Sequence, residues 1–551
     1  MSEKPPKNRI STALDRAIGA IAPQIALGRM KARAMMAIAD GYHGGRMDRS
    51  ATRNWRPSAG SANADTTFDR TDLRARSRDL ARNNPTACAA INANVTSVVG
   101  TGLSMRPRID SKALGMEDDE AEQYEEAIER EWALWAASQN CDAARTLDFY
   151  GIQEQAFRAM LESGDVFALL PSINRTGSPY QLAVQLIEAD RVCNPNWGAD
   201  TTGLCGGVEF DGYGAPKQYH ITDRHPGDMM ARGAIKWNPY AAFGAKTGRR
   251  NVLHLFEQLR PGQARGVPFL SPVIEPIKQL GTYTDSELQA AVISGAFAVF
   301  IKMDPDAFGA LFDEEAQTSI VDSASKWDGN ISAGKAVNLL PGEEVSAASP
   351  GRPNSEFDPF VTAIFRQIGM ALEIPFEVLT MHFTASYSAA RAALLTAWRV
   401  FYKRRSFMAA RFCQPIYEEF LSEAVAMGRL PLPGFFADPA VRAAWCKAEW
   451  AGDGPGSIDP QKEVTAAEGR VRLGISTLDR ESIAFDGVPW EEKHRQQVKE
   501  YATRRSAGLP DPGASAAPAA QTAPPDAADA EDAADADGGD SSALTVTRKP
   551  S

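Results

Sequence analysis

The sequence predicts an α+β fold that is predominantly helical, on three observations. Apolar residues recur at helical spacing over long stretches, above all Ser271–Ala298 and Tyr387–Gly428. Short β-rich runs cluster between Gly164 and Phe256. The chain is 551 residues long with 44% hydrophobic and 23% charged residues, enough for about two to four packed cores, which excludes a mini-protein, a collagen and a wholly disordered chain.

Taken in order, residues 1–69 read as a basic mobile arm, with one amphipathic helix around Ile10–Ile38 and a polar stretch rich in Gly, Ser and Asn over Asp40–Asp65. From Asp72 to Val99, Leu80, Ala87, Ile91, Val95 and Val98 keep helical spacing. Asn83-Asn84-Pro85 breaks the run and Gly100-Thr101-Gly102 stops it, so two helices joined by a turn are expected. An acidic helix follows between Glu117 and Ser138, with Tyr124, Ile128 and Trp132 on one side, then a helix over Asp148–Ser163. After Gly164 the period changes, and Val166–Leu170, Gln181–Ile187, Gly207–Phe210, Tyr219–Ile221 and Val252–Phe256 read as antiparallel strands between Gly, Pro, Asn and Asp clusters.

Ser271–Ala298 carries Ile274, Ile277, Leu280, Leu288 and Val292 and predicts a rod of about 42 Å. A strand (Ala298–Met303), a short helix (Pro305–Ser325), a strand (Ala336–Leu340) and a second rod (Asp358–Glu373) come next. Pro375–Ser388 shows no period and reads as a loop. Tyr387–Gly428 reads as one helix that tolerates Pro415 as a kink. Helical patterns return at Asp459–Glu481 and Glu491–Arg505, and from Leu509 the Ala/Pro/Asp-rich composition predicts disorder.

The net charge of -11 argues at first against a nucleic-acid partner, but it is partitioned: residues 1–82 carry +8, residues 83–510 carry -13 and residues 511–551 carry -6. The six cysteines lie far apart without a CxxC pair and read as reduced thiols of a cytosolic protein. Gln289–Ile301 is too short to span a bilayer. Ala17–Gly28 leads into Arg29, Lys31 and Arg33 rather than a cleavage site, so neither membrane insertion nor secretion is expected.

Catalytic patterns are weak. Gly329–Lys335 matches a phosphate-binding loop except that Ala336 replaces the hydroxyl residue that would hold Mg²⁺, and a strand pattern rather than a helix follows. The six histidines show no paired spacing for zinc, no metal or other cofactor is expected, and no G-x-S-x-G elbow exists. Glu188 and Asp190, two apart on an expected strand, would share a face; a carboxylate pair for acid–base work competes there with an ion pair to Arg191. Arg391, Arg399, Lys403, Arg404, Arg405 and Arg411 decorate the long helix, either as a solvated or subunit-pairing face or toward phosphates.

The order of segments is more informative than any one motif. Arg78-Asp-Leu-Ala-Arg-Asn-Asn-Pro85, Ala89-Ala-Ile91 and Val98-Val-Gly-Thr-Gly-Leu103 open a series continued by Ser163-Gly-Asp165 and Gln185–Val192. His254-Leu-Phe256, Arg260–Pro268, Leu339–Glu343 and Tyr387–Leu395 complete it. This series, over about residues 70–500, resembles the lambda-type family of tailed-phage portal proteins.

The resemblance implies a non-enzymatic portal fold of wing, stem, clip and crown, assembled as a homo-oligomeric ring of about twelve subunits at one capsid vertex. Double-stranded DNA would pass through it during packaging and ejection. The implied partners are the terminase large subunit, the major capsid protein and head–tail adaptor proteins, in the virion and, during assembly, the host cytoplasm. Carried onto this chain, the wing covers 70–265, the first stem helix 266–298, the clip 299–355 and the second stem helix 356–374. A tunnel loop takes 375–388, a long wing/crown helix 389–430, a crown-side helical region 431–508, and an acidic tail 509–551. The loop residues expected to face DNA are Thr380, Met381, His382, Phe383, Thr384, Ala385, Ser386, Tyr387 and Ser388, with Arg391, Arg399 and Lys403 expected near phosphates or a neighbouring carboxylate. Two other readings compete: a phosphate-handling enzyme using Gly329–Lys335, and a nucleic-acid-binding protein acting through its basic arm.

Overall fold

The computed structural model describes residues 13–38, 50–52, 54–228, 230, 233–295, 300–301, 313–316, 318–319, 337–338, 355–383, 387–454, 460–488 and 490–509. The expected N-terminal helix is two, α1 (Ala13–Ile21) and α2 (Pro23–Ile38), because Pro23 lacks the N–H that a continuous helix needs. Arg29 Nε meets the buried Asp15 Oδ1 at 3.1 Å and ties the hairpin. A single turn, α3 (Ala64–Thr67), leads into α4 (Arg70–Asn83) and α5 (Pro85–Val98). Asn84 makes the corner: its side chain accepts from the N–H groups of Thr86 and Ala87 at 3.0 and 3.1 Å, while Pro85 sits in the first turn, where no donor is missed.

Strand β1 (Ser104–Pro107) and the short α6 (Ser111–Leu114) precede α7 (Asp118–Ala136) and α8 (Phe149–Ser163). Trp132 and Trp135 of α7 are buried against Phe149 of α8, with ring centroids 5.1 and 5.2 Å apart. Strand β2 (Asp165–Leu169) then runs between two cores, and every residue of it is buried. Its alternation decides which core each side chain joins: Val166 and Ala168 enter the helical core, whereas Phe167 and Leu169 enter a smaller sheet core with Ile187, Val208, Tyr219 and Ile221.

The described strands between Asp165 and Phe256 form two antiparallel sheets. One is β3 (Gln185–Glu188), β2 and β8 (Val252–Phe256), with β2 central. The other is a meander of β4 (Leu204–Cys205), β5 (Val208–Phe210), β6 (Pro216–Thr222) and β7 (Trp237–Ala241). Strand β7 has no counterpart in the sequence reading because Pro239 lies in its middle; at the edge of its sheet the missing N–H costs nothing.

The first rod is α9 (Ile274–Gly295), entered through a 3₁₀ turn at Ser271–Val273. It packs on α10 (Phe357–Leu372) through Tyr283, whose ring lies 5.7 Å from Phe357 and 5.1 Å from Phe360. Between the rods, β9 (Phe300–Ile301) pairs in parallel with β10 (Val337–Asn338). The Gly329–Ala336 turn and most of the helix expected over Pro305–Ser325 lie outside the described residues.

The long C-terminal helix is α12 (Tyr387–Met408), preceded by α11 (Phe376–Thr380), where the sequence reading expects only loop. It does not kink at Pro415. A π-helical turn over Ala409–Cys413 absorbs the misfit first, and Pro415 opens α13 (Gln414–Ala426) in its first turn. Phe412, Ile416, Tyr417 and Phe420 are fully buried on this joint, with Tyr417 and Phe420 edge-on to Trp132 at 5.6 and 5.1 Å.

After α14 (Pro439–Trp445), β11 (Ala448–Ala451) returns to pair antiparallel with β1, Ser104 opposite Ala451. The helical region expected over Asp459–Glu481 is α15 (Pro460–Arg472) and α16 (Leu478–Asp486), separated by Gly474 at φ 69°. Helix α17 (Trp490–Ser506) ends the described chain, and the tail from Pro510 lies outside the described residues.

Candidate functional site

Two places gather the residues singled out by sequence. The first is the segment joining α10 to α12. Glu373 closes α10 in the left-handed conformation, φ 58°, and the Ile374 N–H bonds the Gly369 carbonyl at 2.9 Å. Gly369 is required there, since a Cβ would stand 2.5 Å from the Ile374 carbonyl oxygen. Ile374 and Leu379 are buried and anchor the segment from below.

Above those anchors Thr380 closes α11 by donating to the Phe376 carbonyl at 2.8 Å, and the backbone turns through Met381 at φ 51°. Met381, His382 and Phe383 then project into solvent, Met381 at 77% and Phe383 at 54% exposure. Solvent-facing Met and Phe beside a well-anchored turn form a protruding apolar tip. Thr384, Ala385 and Ser386 lie outside the described residues, and Tyr387 and Ser388 open α12.

The basic residues of α12 divide by their surroundings. Arg399 and Lys403 are exposed, as is Arg411 of the π turn. Arg391 points to Glu463 of α15 at 3.7 Å. Arg404 bonds the side chain of Asn94 and lies 4.9 Å over the Phe269 ring. Arg405 is buried and donates to the carbonyls of Val98, Ser97 and Asp453 at 3.0, 2.9 and 2.8 Å, so it caps the C-terminal end of α5. Arg404 and Arg405 are therefore internal braces, and no phosphate-facing role is open to them.

The second place lies at the seam of the two cores. Asp165, fully buried at the start of β2, receives Arg265 through two bonds, Nε to Oδ2 at 2.5 Å and Nη2 to Oδ1 at 3.0 Å. Arg74 of α4 reaches Oδ1 at 3.3 Å, and His254 and the Gly266 N–H reach Oδ2 at 3.3 and 3.2 Å. Arg265 spends its remaining donors on the carbonyls of Val192, Ala189 and Gly206 and lies 4.9 Å over the Phe167 ring. One guanidinium thus ties β2, the turn after β3 and the hairpin before β5.

Electrostatics follow from that packing. Burial pushes the Asp165 carboxyl up, but Arg265, His254 and Arg74 more than offset it and hold it well below the usual carboxylate range. Burial pushes His254 down, against the pull of Asp165, and its ring is stacked between Phe167 and Phe256 at 4.1 and 4.3 Å. The chain pinches at the same spot: a Cβ on Gly266 would stand 1.9 Å from the Gly164 carbonyl oxygen.

Glu188 and Asp190 do not both lie on the strand as expected, but they face one ring, His225 Nε2 lying 3.4 Å from Glu188 and 3.7 Å from Asp190. Glu188 ends β3, while Asp190 lies in a 3₁₀ turn, Ala189–Arg191, where Arg78 meets it at 2.6 Å and Arg74 at 3.3 Å. Arg191 turns away and donates to the Thr222 carbonyl at 2.7 Å. Burial raises Asp190 and the two arginines outweigh it, leaving the carboxyl below its usual range, the wrong direction for a base held near neutrality.

Asp165, His254 and Arg265 lie inside the segments that carry the family resemblance, where the sequence alone assigns them no role. The usable signal was an Asp directly after Gly164, at the first position of an otherwise apolar strand, which demands a buried cation. Among the described residues, no cluster of three or more His, Cys, Asp or Glu could hold a metal ion, and no helix is long and apolar enough to cross a membrane.

Comparison with known proteins bears on most of the chain. The sequence profile of the family described as "Phage portal protein, lambda family" matches residues 48–405. Portal protein B of Escherichia phage lambda is 28% identical over 87% of this chain and 92% of its own length. The portal protein of Escherichia phage N15 is 28% identical over 87% and 93%. Among solved structures, the neck of a native gene transfer agent particle aligns over 86% of this chain and 100% of its own, at 13% identity and a TM-score of 0.40.

Proposed function

This chain belongs to the lambda family of phage portal proteins, and from that premise we propose that its copies close into a ring of about twelve at one capsid vertex, through which double-stranded DNA is packaged and ejected. The family match over residues 48–405 carries this reading. The protein is a structural component of the virion, and no step of the packaging chemistry falls to it. ATP hydrolysis belongs to a separate terminase large subunit that docks on the clip, residues 299–355, while the major capsid protein and head–tail adaptors hold the ring from outside.

Physical features of the chain support the ring. Leu288 and Val292 of α9 are each 64% exposed, and Met370 of α10 is 75% exposed. A head-to-tail contact repeated around an axis buries such side chains in every copy and leaves no open end. The charge of -13 over residues 83–510 suits a channel in which DNA must slide, because each phosphate neutralised by a fixed cation adds affinity and therefore drag.

Within the ring, Thr380–Ser388 faces the DNA, with Met381 and Phe383 as its apolar tip. Arg399 and Lys403, exposed on α12, lie toward phosphates or a neighbour's carboxylates; Arg391 serves the same surface from its place beside Glu463. Negative-stain imaging of the purified protein, with the symmetry counted, tests the reading. A ring of about 700 kDa without ATPase activity is expected. A monomer of 59.5 kDa under all conditions would overturn it.

A further inference from the structure

A feature outside the channel reading is the β1–β11 ladder. It has two strands only, so β11 keeps one edge free of β1. The register places Arg108 opposite Lys447, and the Arg108 N–H bonds the Lys447 carbonyl at 2.9 Å. Antiparallel bonding alternates, so Glu449 and Ala451 also bond toward β1, and the N–H and C=O groups of Ala448 and Trp450 point away from it. Pro107 sits opposite Ala448, at one of the positions that bond outward, where its missing N–H costs β1 nothing.

Those outward groups of β11 open onto a cleft of about 1120 Å³. Six consecutive residues, Lys447–Gly452, form one wall; the π turn at Ala409 and Ala410 and the α16 residues Ile483 and Ala484 form the others. Among the described residues, the backbone groups of Ala448 and Trp450 meet no partner across it. A free strand edge lining a groove is a site for an extended peptide, which gains main-chain bonds along the edge and specificity from alternate side chains.

The chain itself carries a segment that fits. Beyond Leu509 it is Ala-, Pro- and Asp-rich, and its only bulky apolar residues are Leu544 and Val546. They alternate with Thr545 and Thr547 in Ala543-Leu-Thr-Val-Thr-Arg548, a period-two pattern of residues that favour strands. That pattern matches β11, where Trp450 packs on the aromatic core 5.9 Å from Trp132 while Lys447 and Glu449 face solvent. Of the rim charges, Lys447 is paired with Asp110 at 3.5 Å and Glu449 and Asp479 are acidic, so exposed Arg480 is the cation that suits the acidic residues just before the segment, Asp535, Asp537 and Asp540. From Leu509, at the end of α17, 35 residues lead to Leu544. A random coil of 35 residues would span roughly 33 Å on average.

We propose that this cleft seats the chain's own C-terminal segment, Ala543–Arg548, as a third strand on the free edge of β11. Tethering keeps its effective concentration high, so a short segment suffices. Hydrogen–deuterium exchange of the peptide carrying Ala448 and Trp450 tests it, in the full chain, in a chain ending at Ser542 and in Val546→Asp. The two amides should exchange at least tenfold more slowly in the full chain than in either variant, and a synthetic peptide of residues 541–551 should restore slow exchange to the shortened chain. Equal exchange in all three overturns the proposal, including the case in which a neighbouring copy or another protein covers the edge.

Discussion

At Asp165 one carboxylate answers for two guanidiniums and an imidazole in a site closed to water. Removing it leaves Arg265 and Arg74 buried beside each other, which is costlier than losing a bond. Asp165→Ala is expected to destabilise the fold by about 3–5 kcal/mol, read as a shift in urea midpoint at constant slope; a loss below about 1 kcal/mol would show that water reaches the site. The pH dependence has a definite sign. His254 is lowered in the folded chain, so the unfolded chain takes up protons first, and stability should fall as pH drops below about 6.5. Asp165 is also lowered, so its contribution is complete above about pH 4 and is lost in stronger acid. Thermal unfolding from pH 8 to pH 3 should show both declines, and His254→Phe should remove the one that begins near 6.5.

At the scale of elements, packing decided where local pattern was ambiguous. The boundaries of α5, α7, α8 and β8 were legible because a cap, a glycine or a change of period marks each one. Strand β7, with Pro239 inside it, and the β1–β11 ladder, joining residues some 340 apart in sequence, were not legible, since both depend on a neighbour the local window does not contain. The connection between α10 and α12 was half legible: its lack of period was visible, while α11 and the buried anchors Ile374 and Leu379 were not. Because the anchors and the tip are different residues, they can be tested apart. Met381→Ser together with Phe383→Ser should leave thermal stability within about 0.5 kcal/mol and ring symmetry unchanged while lowering DNA packaged per particle at least tenfold. Normal packaging would remove the tip from the DNA path. Arg399→Glu with Lys403→Glu, both exposed, should likewise spare folding and alter the salt dependence of packaging.

For the whole molecule, the charge partition yields a prediction separate from the fold. A chain lacking residues 1–59 keeps the helices and sheets that build both cores, and keeps α3 with the bonds of Asn63 to Gly262 and Ala264, and should still form rings, since the arm's described hairpin is tied within itself by Arg29 and Asp15. Loss of rings on that deletion, seen by negative stain, would make the arm part of the ring contact.

The class of fold, the order and period of the main helices and strands and, through the order of the segments, the family were all legible in the order of the amino acids. Those properties reside in spacing and in short motifs, which any stretch of chain carries with it. Which charges are machinery of the fold and which are left for other molecules depends on contacts made across the folded chain. Arg404 and Arg405 stand beside Lys403 in the sequence, yet they face Asn94 and the end of α5 while Lys403 faces solvent. The physical reason is that a charge costs little in water and several kcal/mol in a core, so its role is settled by the partner that meets it, and that partner lies about 300 residues away.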